Sequence, residues 1–164
     1  MPAELDGAEH MKNLLLLAAL SVTAGAHALV TNGGFELNDY NGLGYKEYFA
    51  GDPGINGWTV TGTGSVDIVG TAYPVNSGVH ALDLVGTPGP GEIEQTLATT
   101  NGMTYTVSFY AMHTGGSINS EVNVALGATT QQFQVTTSYQ LYSFNATAAS
   151  AAEVLKLWSN PQNT

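Results

Sequence analysis

Apolar and polar residues alternate in short runs along most of the chain, with the two-residue period of a pleated strand. In TYTVSFYAM, Tyr105, Val107, Phe109 and Ala111 fall on one face, with Thr104, Thr106, Ser108 and Tyr110 on the other. EVNVALG sets Val122, Val124 and Leu126 opposite Glu121 and Asn123, QFQV aligns Phe133 with Val135, and GWTV aligns Trp58 with Val60. SVDIVG, HALDLVG, EIEQTLAT, YQLYSFNATA and VLKLW are further runs, and LVTNGGFEL, residues 29–37, is read as the first strand. About ten short strands punctuated by Gly, Pro, Asn and Ser predict a sandwich or barrel. No stretch after Leu29 keeps a 3.6-residue apolar period, so the fold class is all-β. Residues 38–57 are the longest piece read as irregular, and loops of that length in compact domains are commonly functional.

One earlier run does not alternate. Residues 11–28, MKNLLLLAALSVTAGAHA, join a positive residue (Lys12), an apolar stretch from Leu14 to Leu20 and a small-x-small end at Ala26-His27-Ala28. Those are the parts of a secretory signal peptide, and the run is too short and too broken for a membrane anchor. Residues 1–10 carry Glu4, Asp6 and Glu9, the wrong charge for a signal's leading region, and are read as a non-native or mis-started leader. The expected organisation is therefore a signal over 11–28 and one β-sandwich over 29–164.

Charge narrows the partners. Lys12, Lys46 and Lys156 are the only lysines, arginine is absent, and 13 acids bring the formal charge to −10. A protein that grips phosphates needs positive charge to displace counterions, so nucleic acid is not an expected partner. An anionic membrane surface is not expected either once the signal is removed. An exported chain could form disulfides, but there is no cysteine. Stability must come from packing, hydrogen bonds or a bound ion. Oligomeric state is not legible.

The candidate chemistry is sparse. Phe35, behind Asn32-Gly33-Gly34, and Trp58, in phase with Val60, read as core residues. Asp83, between Leu82 and Leu84, reads as a structural hydrogen-bonding group. Tyr40, Tyr45, Tyr48, Phe49 and Tyr73 are candidate glycan-binding rings, with Asn38, Asp39 and Asn41 nearby to supply polar contacts. Glu92 and Glu94 share one strand face and lack the facing acid that a glycosidase pair requires. His80 and His113 stand apart from any nucleophile or metal motif, so the chain is not expected to be an enzyme.

The order of blocks is more specific than any one of them: N-G-x-F-E, G-W, a V-D strand, G-x-x-x-L-D-L-x-G, I-x-Q-T-L and G-x-x-Y-x-V-x-F. This series, spread over roughly residues 29–115, resembles the choice-of-anchor C proteins of bacteria, whose domain is similar to the plant cell-wall domain of unknown function 642. The resemblance implies a galactose-binding-like jelly-roll β-sandwich, the shape of many carbohydrate-binding modules, and hence a secreted, non-catalytic module that binds polysaccharide. The alternative is a structural or interaction module of the envelope or matrix without sugar binding. The resemblance also implies a structural calcium near the chain ends, with Glu36 and carbonyls around Asn32 and Gly33 as ligands. Jelly rolls of this kind usually finish on an aspartate-bearing strand, whereas no acid follows Glu153. The sandwich is accordingly expected to be truncated, or to diverge, near its C-terminus and to lack its last strand.

Overall fold

A computed structural model describes residues 14–24, 27–115 and 120–160. The leader 1–10, and Lys12 and Ala26 of the signal pattern, lie outside the described residues. Among the described residues twelve strands follow in chain order. The first six are β1 (Leu15–Ala24), β2 (His27–Ala28), β3 (Tyr45–Phe49), β4 (Thr59–Thr61), β5 (Ser65–Val69) and β6 (Ala81–Asp83). The rest are β7 (Glu92–Ala98), β8 (Thr104–His113), β9 (Glu121–Leu126), β10 (Thr129–Gln134), β11 (Gln140–Thr147) and β12 (Ala152–Ser159).

They form two antiparallel sheets. One runs β11-β8-β1-β6-β5-β3, with β2 attached to β1, and the other runs β10-β9-β12-β7-β4. The alternation decides which side chains meet between them. Tyr105, Val107, Phe109 and Ala111 of β8 face Val122, Val124, Leu155, Leu157, Ile93 and Leu97 of the second sheet in one core. The fold is an all-β sandwich.

Two expectations are corrected. LVTNGGFEL is not a strand: residues 31–34 are turn, and Asn32 and Phe35 take φ of 54° and 61°. The stretch 38–57 is not wholly irregular, since β3 lies inside it and pairs with β5. The strand ending near Trp158, β12, is paired to β7 on one side and β9 on the other.

The largest difference concerns the signal-like run. Leu15–Ala24 is a central strand of the first sheet, antiparallel to both β8 and β6. Leu15 and Leu17 enter the main core, while Leu14 and Leu16 point into a second apolar cluster on the sheet's outer side with Val69, Tyr73, Ala81 and Met112. A bulge between Ala18 and Ser21, with Ala19 at φ 50°, advances the phase by one residue. Leu20 and Val22 thereby stay on the core side. Burying a large aliphatic side chain is worth ~1.5–3 kcal/mol as an upper figure. Five of them on β1 (Leu15, Leu16, Leu17, Leu20 and Val22) then approach the ~5–15 kcal/mol total of an ordinary domain. In this structure residues 15–24 form a strand of the first sheet.

The outer cluster has a lid. Residues 70–79 pass over the first sheet, and Tyr139 donates its hydroxyl to the Pro74 carbonyl at 3.1 Å. Beneath it Asp67 and Asp83 are register partners on β5 and β6, both fully buried.

Candidate functional site

The Asn-Gly-Gly-Phe-Glu block is a hydrogen-bonded knot. The Asn32 side-chain amide donates to the carbonyls of Leu37 and Asn56, each at 2.9 Å, and its oxygen accepts the Leu37 N–H at 2.9 Å. Trp58 Nε1 donates to the Asn32 carbonyl at 3.2 Å, and its ring lies 5.7 Å from that of Phe35. Both rings are buried in the core. The Gln95 amide, whose role no sequence signal disclosed, ties the same knot: it accepts from Thr31 N at 2.8 Å and donates to the carbonyls of Thr31 and Gly57.

Glu36 looks outward, toward the 78–80 loop. One carboxylate oxygen accepts the N–H groups of Val79 and His80 at 3.0 and 3.1 Å, and the other meets His80 Nδ1 at 3.0 Å. Gly78, at φ +69°, lies so close that a Cβ would sit 2.0 Å from that first oxygen. These contacts test the expected calcium ligands. Calcium takes about six to eight oxygens from groups free to converge on it. Here the Glu36 carboxylate is committed to three N–H or ring-nitrogen partners. The Asn32 carbonyl accepts from Trp58, and the Gly33 carbonyl accepts the Leu20 N–H at 2.8 Å. The three residues do not fit a calcium cage, and no cluster of three or more His, Cys, Asp or Glu side chains suited to a metal occurs among the described residues.

The five candidate rings do not form one platform. Tyr48 is 1 % exposed and donates its hydroxyl to Asp39, while Lys46 pairs with the same carboxylate at 2.7 Å. The Lys46 hydrogen bond, then that of Tyr48, holds the Asp39 carboxyl below its ordinary range. Tyr73 is 9 % exposed and meets Tyr45 edge-on at 6.4 Å. Tyr40, half-buried, leans toward His80 at 6.2 Å. Only Phe49 is substantially open, at 45 %. Tyr48 and Tyr73 therefore serve packing, because a ring buried on both sides has no face to lay against a sugar. An open groove of about 960 Å³ does lie at this end of the molecule, between residues 36–39 and 51–59. Its two apolar members near the core, Ile55 and Trp58, are buried.

A flatter surface lies on the outer face of the second sheet. The inward turn of Leu155, Leu157, Ile93, Val122, Val124 and Val60 leaves the intervening residues pointing away from the core. Register aligns one outward row across all five strands: Gln132, Asn123, Trp158, Glu92 and Thr61. Trp158 is half-buried, and Lys156 Nζ stands 5.7 Å from its ring centroid while pairing with Glu92. Beside it Asn123 is 7 % exposed, and its Nδ2 meets no hydrogen-bond acceptor among the described residues. An amide nitrogen in that position is costly to leave unmatched.

A family model described as protein of unknown function (DUF642) matches residues 28–155. The chain belongs to the DUF642 family. No curated protein matches it. The DUF642 match takes in β3 to β11 and the first part of β12, and leaves β1 outside. Of the outward row, Gln132, Asn123, Glu92 and Thr61 lie within the DUF642 match, and Trp158 lies just beyond it. Trp158 is one of two tryptophans in the chain. Its partners on this face are spread over four other strands, and only the strand order brings them to one line.

Proposed function

We propose that the protein is an exported, non-catalytic module that binds a neutral polysaccharide on the outer face of its second sheet. Sugars present C–H faces that lie on aromatic rings and hydroxyls that bond to amides and carboxylates. The row Gln132-Asn123-Trp158-Glu92-Thr61 brings both chemistries to one face of the sheet. The observation that carries the reading is the half-buried Trp158 ring on the outward side of the sheet, with Glu92 and Lys156 paired beside it and the exposed Gln132 in the same row. A formal charge of −10 disfavours acidic glycans and leaves neutral ones. Export rests on the signal-like pattern of residues 11–28. The choice-of-anchor C likeness of the ordered blocks supports a bacterial envelope or its surroundings as the location.

Affinity electrophoresis of the folded protein through gels containing neutral polysaccharides tests the reading. At least one glycan should retard the wild type, and Trp158→Ala should weaken retardation at least fivefold. Absence of retardation on every glycan, or unchanged mobility of folded Trp158→Ala, removes the proposal.

A further inference from the structure

We propose that the channel between β6 and β8 is a strand-acceptor site, built to take an extended apolar strand from another polypeptide in place of residues 15–24. This rests on the first sheet and not on the glycan reading of the second.

Both walls of the channel run in the same direction, since each is antiparallel to β1. They stand two strand spacings apart, which is too far to bond to one another directly. Whatever fills the channel must pair with both, and the present occupant does. It matches β8 from Leu15↔His113 to Thr23↔Thr106 and β6 at Leu16↔Asp83 and Leu17↔Leu82. Side-chain groups of the walls are already turned toward the incoming backbone. Asp83 Oδ1 accepts the Leu15 N–H at 2.9 Å, and Thr114 Oγ1 accepts the Leu14 N–H at 3.2 Å. The channel is apolar on both sides, with Leu15 and Leu17 in the main core and Leu14 and Leu16 in the outer cluster. It therefore selects a strand with large apolar residues at consecutive positions, and addition of such a strand to a sheet is an established recognition mode.

Two observations make the occupant replaceable. The segment now in the channel has the residue pattern of an export signal, and it lies outside the region that the family model matches, residues 28–155. Removal at the small-x-small end would take away a central strand and leave two unpaired walls with an open core between them. Such a gap drives association, and the chemistry that fits it is the chemistry of residues 14–22.

The test uses the full chain with a specific protease site introduced at positions 25–26. The protein is folded, cut, and passed over a sizing column. The N-terminal fragment should co-elute with the domain. The cut complex is then unfolded in denaturant and refolded with a tenfold excess of a labelled peptide of residues 14–24, and its mass is read under native conditions. Incorporation of one labelled peptide per domain is expected, with at least tenfold less of a peptide in which Leu15 and Leu17 are Asp. Release of the fragment with an unchanged melting curve overturns the proposal. So does a doubled mass without peptide, which would show two copies closing their own channels. Should the cut protein not refold, exchange is followed on the folded cut complex over days, and failure of the labelled peptide to enter there overturns it equally.

Discussion

The carboxylate of Asp83 and the backbone N–H of Leu15 meet at 2.9 Å across 68 positions of chain. The same oxygen accepts the Val85 N–H at 2.9 Å. Asp83, read in the sequence as a structural hydrogen-bonding group, thus anchors the start of a central strand from a fully buried position beside Asp67.

That burial sets a pH dependence. Desolvation pushes the Asp83 carboxyl well above its ordinary 3.8, the two amide bonds oppose the shift, and Asp67 adds to it. The folded state therefore holds a proton that the unfolded state has released. Stability from this group is fullest below the ordinary carboxylate value and is lost as pH climbs through the raised folded value. Asp83→Asn keeps the amide-accepting oxygen and removes the titration. The melting temperature of the variant relative to wild type should rise from pH 4 to pH 8, and a difference independent of pH would contradict the assignment.

Gly33 and Leu20 provide a steric test. Leu20 N donates to the Gly33 carbonyl, and a Cβ on residue 33 would come within 1.9 Å of the Leu20 carbonyl oxygen. Both atoms at fault belong to the backbone, so the contact is relieved only by moving the turn off the β1 bulge. Gly33→Ala should destabilise by about 2–4 kcal/mol, lowering the melting temperature by roughly 5–15 °C in a domain of this size. Gly34→Ala is the control, since its nearest neighbour would be a side-chain carbon at 3.8 Å. Equal effects at both positions would refute the packing described.

Glu36 is expected to act through the 78–80 loop and not through a cation. Glu36→Ala should cost about 1–3 kcal/mol, the range for leaving hydrogen-bonded groups without their charged partner. Wild-type melting curves with millimolar calcium and with chelator should coincide. A calcium-dependent rise that the variant lacks would restore a metal role to this residue.

Tyr48 separates packing from recognition. Tyr48→Ala should lose about 3–5 kcal/mol, as truncation of a buried aromatic ring does. Tyr48→Phe gives up only the hydroxyl contact with Asp39 and should lose no more than about 1.5 kcal/mol. The folded Phe variant should show the same glycan mobility as wild type, and reduced retardation would bring the ring back into a binding site.

What could be read from the chain was whatever period two displays. Tyr105, Val107, Phe109 and Ala111, or Val122, Val124 and Leu126, announce a half-buried strand because one face meets a core and the other does not. Trp58 and Phe35 were legible as core residues for the same reason of phase and setting. The candidate rings were less so. A tyrosine on a loop is written the same way whether its ring lies open, like Phe49, or is sealed, like Tyr48. The outward row through Trp158 was not legible as a row, because its members come from five strands whose order is a tertiary matter.

Sequence by itself determined that this protein is all-β, acidic, without disulfides, and built from short alternating strands. Tertiary structure alone showed where the run at residues 14–22 can sit in the fold. A strand buried on both faces has no polar side and reads as an uninterrupted apolar stretch, which is also how an export signal reads. Alternation reports contrast between two environments. Where both sides of a strand are equally apolar there is no contrast to report, and only its neighbours β6 and β8 reveal the place of this run at the centre of a sheet.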